Sequence, residues 1–162
     1  MNLSRLVTSV VAVAFASVAW CAATPPAATS DDASEVIIRD FYGVEGYTYV
    51  YRVHPGTLTV WVENDFGRPA KELCKVPLTA DRAHEWARFL AAFPLDTLES
   101  EYVDRSVDDG LQITFSVRRG ANSPRVIRVA NAFQADLAVL CDRVAALVPA
   151  ECVHQPLKLP AK

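Results

Sequence analysis

The chain lacks the short motifs that mark the commonest enzyme chemistries. No Gly-x-Ser-x-Gly elbow, His-Glu-x-x-His pair, phosphate-cradling glycine loop or Gly-x-Gly-x-x-Gly turn occurs among its 162 residues. Serine-hydrolase, zinc-protease and nucleotide chemistry therefore have no signature here. There is no Cys-x-x-Cys and no Cys/His pair at metal spacing, which removes the usual redox and zinc readings and leaves no cofactor to expect. Histidine is scarce, at three residues: His54 in a turn, His84 on the polar side of a helical segment and His154 near the C-terminus. None has the positioned partner a catalytic imidazole needs. Basic residues are also in deficit, with 16 Lys and Arg against 19 Asp and Glu. Without a basic face, nucleic acid is not an expected partner.

No apolar run reaches the roughly 20 residues of a membrane-spanning helix. The longest, Leu6–Ala19, follows the single charge of Arg5 and precedes the small residues Cys21-Ala22-Ala23. That order predicts a secretory signal peptide over residues 1–23, cut after Ala23 or after Cys21, and hence a periplasmic or secreted protein. Lipid anchoring through Cys21 is disfavoured, because Trp20 stands where such sites want a small side chain. Loss of Arg5 makes the net charge one unit more negative than the −3 of the full chain. Residues 24–34, rich in Ala, Thr, Pro and Ser, read as a flexible leader; 35–150 as one domain; and 151–162 as a polar tail.

What is present is a pattern of short alternating runs and two amphipathic stretches. Val36-Ile37-Ile38 begins a strand-like segment. Tyr47–Val53 and Thr57–Asn64 flank His54-Pro55-Gly56, where proline fixes φ and glycine accepts a positive one. With His54 opposite Thr57, Tyr51 pairs with Val60, Tyr49 with Val62, Val50 with Trp61 and Arg52 with Thr59. Continuing to Ala70–Val76 pairs Glu63 with Lys71, Trp61 with Leu73 and Val60 with Cys74. Thr79 caps a helix over 80–92, ended by Pro94. Leu111–Arg119 and Arg125–Ala130 form a second hairpin, and Asn131 with Gln134 makes a capping box for a helix that Pro149 stops. The expected fold is α+β: one antiparallel sheet of five to six strands with both helices on one face.

Three surfaces are functional candidates. Val50, Trp61 and Leu73 form an apolar stripe on the sheet face away from the helices, rimmed by Arg52, Glu63, Lys71 and Lys75, which is the make-up of a protein contact. Arg118, Arg119, Arg125 and Arg128 gather on the second hairpin, with Arg119 facing Arg125, and suit an anionic ligand or a partner's carboxylates. Five acids, Glu99, Glu101, Asp104, Asp108 and Asp109, crowd the loop before Gly110. Ordinary turn chemistry explains them first, since calcium needs a spacing this loop does not have.

Export makes the cysteines candidates for a bridge, with Cys21 removed and an odd three remaining. The chain after Pro149 folds back along the second helix in this reading, pairing Cys141 with Cys152 and leaving Cys74 a buried thiol. The expected role is a binding or interaction protein with a partner in the cell envelope, of inhibitor or immunity type. The alternative is a small hydrolase working from the 99–109 loop.

Overall fold

A computed structural model describes residues 34–42, 46–64, 68–107, 110–152 and 157–159. The signal segment, the leader up to residue 33, Asp108, Asp109 and His154 lie outside the described residues.

Alternation of apolar and polar residues builds the first four strands: β1 (Glu35–Tyr42), β2 (Tyr47–His54), β3 (Thr57–Asn64) and β4 (Arg68–Pro77). Pro55-Gly56 turns β2 into β3, with Gly56 at φ +75° and His54 opposite Thr57. The register between these two strands is the expected one, Tyr51 on Val60 and Val50 on Trp61. β4 keeps the expected Val60–Cys74 pair but then slips: irregularities fall between Val60 and Trp61 and between Val62 and Asn64. Trp61 therefore faces Glu72 and Val62 faces Lys71, and Leu73 is the extra residue of a bulge.

Helix α1 (Ala80–Ala92) starts at Thr79, whose Oγ1 accepts from the Arg82 amide at 3.4 Å, and ends at Phe93 before Pro94. Three strands follow: β5 (Glu101–Val103), β6 (Gln112–Arg118) and β7 (Arg125–Ala130). The sheet order is β4-β3-β2-β1-β6-β7-β5, seven strands with β1 at the centre. β5 runs parallel to β7, so the sheet is mixed and larger than the antiparallel five or six strands expected. The three residues of β5 are too few to show a period, and their backbone is fixed by what they meet. The Arg128 amide donates to Ser100 O at 2.9 Å, and the Asp104 amide to Ala130 O at 2.9 Å.

Helix α2 (Ala135–Ala145) begins later than the capping box predicts. Gln134 is the cap, its side chain accepting from the Leu137 amide at 2.6 Å. Asn131 instead takes a left-handed φ of 55° and donates its side-chain amide to Val107 O at 3.1 Å.

Both helices turn their apolar sides to the same layer. Trp86 and Leu90 of α1 and Leu137, Leu140, Cys141 and Val144 of α2 join one buried cluster with Ile38, Val53, Val60, Phe115 and Ile127 of the sheet. The helices also meet each other: Arg143 stacks 5.5 Å from the Phe89 ring centroid and pairs with Glu85 at 3.2 Å.

The disulfide is Cys74–Cys152, and Cys141 is a buried free thiol. This corrects the Cys141–Cys152 pairing. The chain immediately after Pro149 takes another course. It makes a 3-10 turn, Ala150–Cys152, closed by the Cys152 amide donating to Pro149 O at 2.9 Å. That turn carries the thiol to β4, with a Cα–Cα distance of 5.8 Å, inside the range a bridge permits. Cys141 faces into the core, fully buried.

Candidate functional site

Strand alternation sorts the side chains of β1, β2, β3 and β6 onto two faces. Val36, Ile38 and Asp40 point to the helices, and Glu35, Ile37, Arg39 and Phe41 point away. The away-facing side carries Trp61 on β3, the second strand from one edge, half-buried, with its indole N–H donating to Glu63 Oε1 at 2.9 Å. Arg39 reaches the other oxygen of the same carboxylate, Nε to Oε2, at 3.7 Å. Glu63 thus ties β1 to β3 across β2. One strand register away, Glu35 takes Arg52 of β2 at 2.6 Å and Arg118 of β6 at 3.2 Å. Two carboxylates therefore hold three arginines and the tryptophan in fixed positions across four adjacent strands, β3, β2, β1 and β6.

The apolar stripe does not survive intact. Val50 lies on this face but is fully buried, flanked in the sheet by Arg39 and Trp61, so it offers nothing to a partner. Leu73 packs against the helix-side core, because the β4 bulge breaks the alternation that put it beside Trp61. Trp61 remains, joined by half-buried Ile37 and Phe41 of β1. Sequence reading missed those two. β1 is apolar at both alternating sets, Val36 and Ile38 as well as Ile37 and Phe41, so alternation alone does not tell its faces apart.

The arginine cluster is divided between the faces. Arg118 serves Glu35, and exposed Arg128 stands on the same side, between Thr114 of β6 and Glu101 of β5. Arg119 pairs with Asp96 at 3.6 Å, and Arg125 donates to Leu98 O, so both hold the connection between α1 and β5. Arg119 does not oppose Arg125, which pairs with Val117.

In the acidic loop, Asp104 Oδ1 accepts from both the amide and the hydroxyl of Ser106, at 2.9 and 2.6 Å. Those bonds hold its carboxyl below the usual range, as a turn-forming aspartate. Glu101 pairs in the sheet with Arg128, and the Glu99 amide donates to the Tyr102 hydroxyl at 2.9 Å. Among the described residues, no group of three or more His, Cys, Asp or Glu is placed to hold a metal ion. His54 and His84 are exposed.

Two further features had no signal in the sequence. A shallow groove of about 190 Å³ opens between the helices, lined by Arg82, Glu85, Trp86, Phe89, Arg143 and Leu147 among others. Asp40 is buried on the helix side of the central strand, and its Oδ1 accepts no hydrogen bond. Comparison with models of known protein families and with curated proteins finds no match.

Proposed function

We propose that this is an exported binding protein of one domain that contacts a protein partner in the cell envelope through the helix-free sheet face, in the manner of an inhibitor or immunity protein. The observation that carries the reading is Trp61, half-buried and hydrogen-bonded to Glu63, on the same sheet face as Arg39, Arg52 and Arg118, each already paired to a carboxylate. Trp and Arg are the residues that dominate protein-contact energies. Side chains already held in place lose less entropy when a partner covers them. The signal-peptide pattern and the Cys74–Cys152 bridge support export, since a disulfide persists in an oxidising compartment. No helix among the described residues is long and apolar enough to cross a membrane.

The test is capture from envelope extract on the immobilised full chain, comparing wild type with Trp61→Ala and with Val139→Ser on the exposed side of α2. The reading expects a bound protein that Trp61→Ala loses and Val139→Ser keeps. Equal capture by all three overturns it. Hydrolysis of an ester or glycoside substrate that Asp104→Asn abolishes favours the loop-based hydrolase instead.

A further inference from the structure

Asp40 sits on β1, the fourth of seven strands, facing the helix layer, and is only 2 % exposed. A carboxylate in that position needs a cation or several donors to stay ionised. Among the described residues no cation pairs with it, and its Oδ1 accepts no hydrogen bond. Tyr49 and Ile113 are its cross-strand neighbours, from β2 and β6. Tyr51 of β2 and Cys141 of α2 are close enough that a charge on Asp40 raises the ionisation range of each. Asp142, next along α2, adds a further negative charge beside Cys141. Every titratable group facing Asp40 from β2 and α2 is thus an acid, and no described Lys, Arg or His pairs with it.

We propose that Asp40 is a proton-operated latch between the central strand and α2: neutral, it lets the helix sit on the sheet, and ionised, it lifts the helix and opens Cys141 to solvent. The geometry sets the direction. A new negative charge with an unbonded oxygen is relieved by water, and α2 is held over it by side-chain packing whereas β2 and β6 are held to β1 by backbone hydrogen bonds, so the helix is the layer that yields. Burial pushes the Asp40 carboxyl up to about 6, so the latch works between mildly acidic and neutral conditions. Cys141 is the natural reporter, being fully buried and the only described cysteine outside the disulfide.

The experiment labels the native, disulfide-bonded chain, carrying Cys21→Ser so that Cys141 is its one thiol outside the bridge, with a dipyridyl disulfide reagent from pH 5 to pH 8. Each rate is divided by that of an unfolded peptide carrying Cys141. A carboxyl at about 6 in the closed state and at its ordinary value in the open one makes the corrected rate rise about tenfold from pH 5 to pH 8, flattening above pH 6. Asp40→Asn, nearly the same in shape, removes the rise and leaves the profile flat within about twofold. A flat wild-type profile overturns the proposal, as does an equal rise in the variant. Should Asp40→Asn not fold, the bend near pH 6 in the wild type tests the latch by itself. Labelling at each pH is also compared with the global unfolding rate under the same conditions. Labelling no faster than global unfolding overturns the proposal, because α2 then does not leave the sheet on its own.

Discussion

Joining Cys74 to Cys152 closes a loop of 78 residues that contains α1, β5, β6, β7 and α2. In the chain-entropy account, a loop of that length removes about 15 cal/mol/K from the unfolded ensemble, or about 4.5 kcal/mol at 25 °C. Domains of this size are stable by roughly 5–15 kcal/mol, so the bridge supplies about 30 % or more of the total. The perturbation is Cys74→Ala with Cys152→Ala, which removes the bridge and leaves no disulfide for the Cys141 thiol to attack. Both positions are 8 % exposed, so the lost sulfur atoms add a small packing cost. Urea unfolding of the oxidised wild type and the double variant at one pH measures the difference, expected at about 4–5 kcal/mol. Cys141→Ala alone leaves the bridge formed and costs far less. A difference below about 1 kcal/mol refutes the argument that this bridge restrains the unfolded chain. A Cys141–Cys152 peptide in an unreduced digest refutes the pairing itself.

Asp40 gives the fold a pH dependence of definite sign. Its folded-state carboxyl is raised to about 6, so its contribution is fully present below the ordinary carboxylate range and lost as pH rises through 6. A shift of about two units corresponds to about 3 kcal/mol, so Asp40→Asn raises the urea midpoint at pH 8 and leaves it nearly unchanged at pH 4. A stabilisation that is the same at both pH values contradicts this. A Cβ on Gly110 meets the Asn131 side chain at 1.8 Å. Gly110→Ala therefore lowers stability by about 1–3 kcal/mol in thermal unfolding, and adding Asn131→Gly recovers part of the loss. Glu35→Gln loosens Arg52 and Arg118, whose side chains are 46 % and 35 % exposed. It costs about 1 kcal/mol or less, and less again in high salt.

The hairpin β2–β3 and both helices were legible because local chemistry decides them: a Pro-Gly turn, strict alternation and apolar residues at helical spacing. β5 was not, since three residues carry no period and parallel pairing to β7 is a tertiary decision. The β4 bulge was also invisible. It displaces Leu73 from the expected stripe while leaving Val60 opposite Cys74, so a register that starts correctly fails a few residues on. Trp61 was found because its face follows from the β2–β3 register alone. The other residues of that face, Ile37, Phe41, Arg39 and Glu35, come from β1, which is central in the sheet and whose two faces look alike in sequence. Asp40 was missed for the same reason: an aspartate among alternating apolar residues reads as the polar side of a strand, and only the helix layer shows it to be buried. The cysteine pairing failed on three residues after Pro149, where a 3-10 turn sends Cys152 to the sheet.

Hydroxyl-radical footprinting of the full chain, free and in the captured complex, tests the contact face most directly. Protection of Trp61, Ile37 and Phe41 with Phe133 and Val139 unchanged is the expected result. Protection of Val139 with Trp61 as reactive as in the free protein contradicts the account.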